Sequence, residues 1–300
     1  ELIFFHDTFK NIVNKSKEAF ENLKTYGIGQ GAVHRDLTGS VNDRYKLLFN
    51  KVKEVFSGIK DTEVYKFLNG MDAGGICGYA TIANEIFMVF HDNVQEFKEK
   101  FKYDLYTEDG GINDSLLLLD IYLFLNKECK ELIDMIDGEW KVLGTDDSGV
   151  HPIHSWGREA ENLNQFLKFL GIDYTMNPNQ IFNNIDHRYH TLSEKQIETL
   201  RNEVIYHLAK GDKVSLGIFP YLKSPNNGLT FYCTQGSENI NTNNWEETTD
   251  NPTFYNGGHS MYVTGISDSG DLIVSSWGKE YIVKWSELST EAAFEITATS

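Results

Sequence analysis

Cysteine is scarce in this chain: three in 300 residues, at Cys77, Cys129 and Cys233. That excludes a small scaffold stapled by disulfides. A single Cys129–Cys233 bridge would leave Cys77 as a thiol, and thiols throughout are the expectation for a chain of this size. Positive charge is also short. Lys and Arg number 27 against 44 Asp and Glu, a formal charge of -17. A general nucleic-acid binder needs a basic face to neutralise phosphates, so that class is excluded. The acidic excess reads as a solvated, self-repelling surface. Long hydrophobic runs are missing as well. No stretch reaches the roughly 18 apolar residues a spanning helix needs. The greasiest segment opens at Leu116–Leu119 and is interrupted by Asp120, Lys127 and Glu128, so no membrane span is expected. There is no internal repeat and no low-complexity tract. No signal peptide is visible and Glu1 is not a start methionine, so a mature or excised chain is expected.

What is present can still build a large core, with 40% hydrophobic residues. Helical spacing dominates the first two thirds. Phe9, Ile12, Val13, Phe20 and Leu23 recur with that period, as do Tyr45, Leu48, Phe49, Val52 and Phe56. The glycine-rich linker Tyr26–Gly31 separates them. It lacks a following Lys-Ser/Thr and a preceding strand, so it is a loop and not a phosphate cradle. Further helices are expected over 77–102 (one or two), 114–137, 155–170 and 193–210, the last capped by Ser193 and ended by Gly211. Strand signals follow at 213–219, 229–233, 259–266, 272–275, 281–285 and 294–297. Helices first and an antiparallel sheet afterwards make an α+β fold. The polar stretch 236–257, which contains Trp245, reads as a long loop forming a functional rim.

Two local patterns carry chemistry. In Gly74-Gly75-Ile76-Cys77-Gly78 a lone cysteine opens an almost wholly apolar helical run. Helix N-terminal N–H groups favour a thiolate, and the thiolate is the nucleophile. A buried helix would also hold the sulfur rigidly. In Gly257-Gly258-His259 a histidine opens an apolar strand, with Met261 and Val263 on its side and Ser260, Tyr262 and Thr264 opposite. A thiol and an imidazole are the two halves of a nucleophilic site. The imidazole needs an orienting partner. Ser275, on the return strand of the hairpin, is the expected orienter, with turn residues Asp268 and Asp271 as rivals. Trp277 would cover the pair from water.

Taken together, these blocks resemble the papain-like cysteine peptidase superfamily, in its bacterial streptopain-type and double-glycine-type branches. The resemblance rests on Cys77-Gly78-Tyr79-Ala80 opening a helix, on Gly258-His259 opening a strand, and on Ser275-Ser276-Trp277-Gly278. The last is similar to the family's Asn-Ser-Trp-Gly, with Ser275 where the asparagine falls. Leu208 to Ile218 resembles the family's helix-to-strand passage before the histidine. The likeness covers roughly residues 67 to 297. It implies a papain-like domain over 67–300, with 1–66 as a helical extension serving as a lid, a pro-like segment or a partner lobe. It implies catalysis by Cys77 and His259, with Ser275 orienting the ring. The family's oxyanion-hole glutamine lies six residues before the cysteine, where this chain has Met71, and a thioether cannot donate a hydrogen bond. Asn69 is the nearest neutral donor (Asp72 would serve only if protonated), so the expected hole is Asn69 with the Cys77 N–H.

The implied activity is thiol-dependent cleavage of a peptide or isopeptide bond in a protein or peptide substrate, in a bacterial secreted effector or toxin. Glutamine deamidation or acyl transfer on the same Cys-His scaffold, and a binding module with a decayed site, remain alternatives. No cofactor and no metal are expected. His151-x-x-His154 and His187-x-x-His190 lack the His-Glu-x-x-His pattern and a third ligand.

Overall fold

A computed structural model describes residues 19–20, 23, 26–39, 43–73, 76–127, 133–136, 139–142, 164, 167–168, 170–172, 177–184, 191–220, 227–244 and 258–300. The chain divides into two compact units. One is Gly27–Met176. The other joins Glu1–Tyr26 to Asn177–Ser300.

The Gly27–Met176 unit is mainly helical. Its helices are α1 (Ala32–Thr38), α2 (Arg44–Val55), α3 (Asp61–Ala73), α4 (Cys77–Phe90), α5 (Val94–Phe101) and α6 (Asp114–Lys127), followed by an antiparallel strand pair, β1 (Ile133–Ile136) and β2 (Glu139–Val142). The α6 helix is shorter than the expected 114–137, because strand pairing takes over at Ile133. The expected division after residue 66 falls inside α3. The buried face of that helix, Val64, Phe67, Leu68 and Met71, runs through the position without a break. Hydrophobic burial at helical spacing has no reason to stop there, so α2 and α3 belong to the same body as α4.

Helices α1, α2 and α4 all pack on α6. Aromatic rings fill the joints. Tyr79 meets Tyr122 at 5.0 Å, and Phe67 meets Tyr122 edge-on at 5.9 Å. Phe97 and Phe101 stack at 4.2 Å under α5. Two of its buried carboxylates are paired with arginines. Asp36 accepts from Arg44 Nε at 2.8 Å, from Arg35 Nε at 3.1 Å and from Ser115 Oγ at 2.5 Å. Arg35 also grips Asp114 with both terminal nitrogens, at 3.0 and 2.7 Å. The cluster pins α1, α2 and the start of α6 together. Further along α6, Asp120 accepts from Lys51 at 2.7 Å and from the Tyr103 hydroxyl at 2.8 Å.

The second unit is built on an eight-stranded antiparallel sheet in the order β3-β10-β4-β7-β8-β9-β5-β6. Its strands are β3 (Pro178–Asn183), β4 (Lys213–Pro220), β5 (Thr230–Cys233), β6 (Ile240–Asn241), β7 (His259–Ile266), β8 (Leu272–Ser276), β9 (Lys279–Val283) and β10 (Ala292–Thr299), with helices α7 (Glu194–Lys210) and α8 (Trp285–Glu291). The two-residue period of each strand sends Val214, Leu216 and Ile218, Met261 and Val263, Leu272 and Val274, and Phe294 and Ile296 to one face. There they pack with Leu200, Val204 and Leu208 of α7. The ends of α7 follow their local chemistry. Ser193 and Gln196 form a reciprocal capping box, and Gly211 at φ +84° closes the helix by donating to the His207 and Leu208 carbonyls. On the opposite face of the sheet Phe20 lies 5.7 Å from Tyr262 and 6.0 Å from Tyr26. Trp285, expected to end a strand, instead opens α8.

The observed class is therefore α+β. The expected helix over 155–170 and the loop residue Trp245 fall almost entirely outside the described residues. No described helix is long and apolar enough to cross a membrane.

Candidate functional site

In the helical unit, Cys77 is the first residue of α4 and is half-buried. The helix forms because Ala80, Ile82, Ala83, Ile86, Phe87 and Phe90 are all buried. Its first turn closes with Ala80 N–H donating to the Ile76 carbonyl at 3.0 Å. The first N–H groups of any α-helix lack an intrahelical acceptor, and the N-cap residue, Ile76, has no side-chain group to accept from them. The positive end of the helix dipole thus lies at the sulfur-bearing residue. Two polar side chains brace the helix further on. Thr81 Oγ1 donates to the Cys77 carbonyl at 3.1 Å. Asn84, two turns after Cys77 on the same face, forks onto one backbone residue: Ile28 N–H donates to Oδ1 at 2.9 Å, and Nδ2 donates to the Ile28 carbonyl at 3.1 Å.

The expected side-chain donor for an oxyanion is not there. Met71 is 0% exposed, with its thioether in the core. Asn69 is two residues earlier, about 200° around the helix by its period, and its amide is on the exposed side of α3. Met71 and Asn69 belong to a regular helix, so one points inward and the other into solvent.

In the sheet unit, His259 is the first residue of β7 and is 5% exposed. Its ring lies flat on the Trp277 indole, 4.3 Å between centroids and 6° between planes. Phe231 meets it edge-on at 6.3 Å and meets Trp277 edge-on at 5.3 Å. The imidazole Nε2 is 2.6 Å from the Ser276 hydroxyl. Desolvation pushes the His259 pKa down to about 3, so the ring is neutral at physiological pH.

Trp277 is held at a cost. Ser276 and Lys279 flank a two-residue turn in which Trp277 has φ +49° and Gly278 φ +72°. Positive φ at both central positions is a type I′ hairpin turn, which suits Asn-Gly. A bulky L-residue there is strained by roughly 1–2 kcal/mol. The stacking on His259 and the contact with Phe231 offset that strain, and backbone strain of this kind concentrates at functional positions.

The hydroxyl that meets the imidazole is that of Ser276 and not Ser275. In the β7–β8 pairing Ser275 is opposite Tyr262, whose side chain points to the face away from His259. The Ser275 hydroxyl donates to the Tyr26 carbonyl at 3.0 Å, and Tyr26 N–H donates to the Gly278 carbonyl at 3.0 Å. Ser275 therefore fastens the chain at residue 26, while its neighbour meets the imidazole. Asp268 and Asp271 sit in the turn at the far end of the β7–β8 hairpin. Asp271 accepts there from Ser269 and from the Trp285 N–H.

Cys77, His259 and Trp277 thus stand at the structural positions expected of them, Ser275 and Asn69 do not, and Ser276 and Phe231 are additions. Parity along the strands would identify Ser276 once the register is known. Phe231 carries no sequence signal. Neither Cys77 nor Cys233 is in a disulfide, which removes the Cys129–Cys233 bridge. The four histidines of the two His-x-x-His pairs lie outside the described residues. Among the described residues no group of three His, Cys, Asp or Glu side chains could hold a metal. No protein-family profile, no curated protein and no solved structure matches this chain.

Proposed function

We propose that this protein is a thiol-dependent hydrolase of papain-like type, acting on a peptide or isopeptide bond, with Cys77 as nucleophile and His259 as general acid and base. The observation that carries this reading is the fixed imidazole: Nε2 on Ser276 at 2.6 Å, and the ring flat on a strained Trp277. A histidine placed only for packing needs neither an orienting hydroxyl nor a neighbour in a costly turn.

The chemistry follows from which nitrogen is engaged. Nε2 faces the Ser276 hydroxyl at 2.6 Å, and in the tautomer where Nε2–H donates to that oxygen, Nδ1 is the nitrogen that exchanges protons. Nδ1 takes the Cys77 Sγ proton as sulfur attacks the substrate carbonyl carbon. The C–N bond of the tetrahedral intermediate then breaks, and the leaving amine takes the proton from Nδ1. A thioester remains. Water attacks it, giving one proton to Nδ1, and the acid leaves as Sγ regains that proton. The oxyanion is stabilised by backbone N–H groups of the first turn of α4, the Cys77 N–H among them.

The test is labelling and turnover with a broad panel of peptide and isopeptide substrates. Cys77→Ala abolishes product. Ser276→Ala lowers kcat/KM by about 10- to 100-fold, as expected for a lost positioning hydrogen bond, whereas Ser275→Ala, which removes a buried bond to the Tyr26 carbonyl on the other face of the sheet, changes it by less than about threefold. Equal losses in the two serine variants, or product from Cys77→Ala, would sink the assignment. Mass readout of the treated protein separates cleavage from deamidation, which proceeds through the same thioester and leaves the backbone whole.

A further inference from the structure

Tyr26 opens the glycine-rich linker and belongs to the sheet unit, which joins Glu1–Tyr26 to Asn177–Ser300. Both of its backbone groups are engaged inside that unit. Its N–H donates to the Gly278 carbonyl at 3.0 Å, and its carbonyl accepts from the Ser275 hydroxyl at 3.0 Å. The two bonds straddle Trp277, one landing two residues before it and the other one residue after. The side chain is anchored as well. Tyr26 is buried, its ring stacks on Phe20 at 6.0 Å and 23°, and Phe20 lies 5.7 Å from Tyr262 of β7. Tyr262 is the cross-strand partner of Ser275. The contacts form a circuit from residue 26 through Phe20, Tyr262 and Ser275 back to residue 26.

The two bonds land on backbone of unequal security. Ser275 is paired on both sides, with Tyr262 and with Glu280, so the sheet holds it unaided. Gly278 lies in the turn, between the last paired residues Ser276 and Lys279, where Trp277 has φ +49°. A non-glycine residue favours negative φ. With Trp277 in that ordinary region its Cα–Cβ bond would take another direction, and the indole would leave the His259 ring that it covers at 4.3 Å and 6°. The peptide unit is planar, so a donor on the Gly278 carbonyl fixes the ψ angle of Gly278. One hydrogen bond of ordinary strength is of the same order as the strain of one bulky residue at positive φ. The Tyr26 N–H is therefore strong enough to decide which way the turn settles.

We propose that Tyr26 is a positioning residue, whose backbone clasps the Trp277-Gly278 turn from the far face of the sheet and so keeps the indole on the His259 ring. It acts through the backbone of the turn. Ser275 also gains a role: the serine that does not meet the imidazole anchors the residue that steadies the cover of the imidazole. The clasp fixes a ring whatever reaction that ring serves, so it stands apart from the thiol-hydrolase reading.

The experiment uses the full chain with isotope-labelled histidine. An indole lying flat on an imidazole moves the ring-proton signals of that histidine upfield. The His259 signals, among nine histidines, are assigned by their loss in His259→Gln. The part owed to the indole is the difference between native protein and Trp277→Ala, and no difference overturns the premise of the clasp. Tyr26→Pro, which removes the N–H donor, is expected to lose about half or more of that part, as for deletion of a bond comparable to the strain it opposes. Tyr26→Ala keeps the N–H and loses the ring, while Ser275→Ala keeps the N–H and loses one anchor. Each is expected to lose less than about a quarter. A role in stability alone would lower the urea midpoint of Tyr26→Pro and leave its shift at the native value, and that result overturns the clasp. Equal losses in Tyr26→Ala and Tyr26→Pro overturn it too, because the ring and not the N–H would then hold the turn. Should Tyr26→Pro fail to fold, hydrogen exchange at the Tyr26 amide of the native protein decides. Protection like that of the β7 interior supports the clasp, and exchange at the rate of an exposed amide overturns it.

Discussion

The two units bury polarity in opposite ways. The helical unit buries charge and neutralises it on the spot: Asp36 between Arg35, Arg44 and Ser115, and Asp114 under the Arg35 fork. These contacts hold the Asp36 carboxyl below its usual range against the desolvation that raises it. The sheet unit buries His259 against rings and a hydroxyl, and the group gives up its charge instead. The first device makes a rigid joint between helices. The second keeps a buried imidazole uncharged near neutrality. A buried ion pair costs desolvation and returns little net stability, but losing one partner is severe. A buried neutral imidazole costs nothing near neutrality and is vulnerable only to acid.

Three measurements sharpen or break that contrast. The largest effect is expected from Asp36→Ala, which takes the carboxylate from Arg44 and leaves Arg35 paired with Asp114 alone. Urea unfolding should show a loss of about 3–5 kcal/mol, as for other broken buried pairs. A loss below about 1 kcal/mol would mean the cluster is solvated and the contrast false.

Next comes acid. The His259 folded pKa of about 3 is below the ordinary value of 6.5, so between those values the unfolded chain binds a proton that the folded chain does not. Stability from this group is intact above pH 6.5 and falls as pH drops towards 3, by about 1.4 kcal/mol per unit for one proton. Carboxylates add their own slope in the same window. The difference between native protein and His259→Gln isolates the histidine, and equal slopes would remove the claim that this ring is dry.

The smallest effect is local. Ser193→Ala removes one half of the α7 capping box and should cost about 1 kcal/mol, read as a shift of the urea midpoint with unchanged slope. It should leave the His259 titration untouched, because Ser193 acts on the first turn of α7 and not on the ring contacts of His259.

Much of the layout could be read without coordinates where the signal is short-range. Both ends of α7 follow from Ser193, Gln196 and Gly211, and β7 runs over His259–Ile266 as alternation and turn residues indicate. Cys77 opens its helix because the apolar run begins there. The misses share a cause. Ser275 and Ser276 are adjacent and alike, and a one-residue change of register exchanges their faces. Asn69 failed because α3 is helical through Met71, so a residue two positions earlier turns into solvent. The division after residue 66 failed because a helix boundary is local and a shared core is not.

Sequence alone determined the α+β order, the helix that begins at Cys77, the strand that begins at His259 and the acidic, thiol-bearing character of the chain. Each is set by residues a few positions apart. Tertiary structure decided that Ser276 holds the imidazole, that Phe231 walls it in and that Trp277 accepts a strained turn. Those outcomes depend on which strands lie side by side and in what register, and pairing across dozens of residues leaves no mark in any short window of the chain.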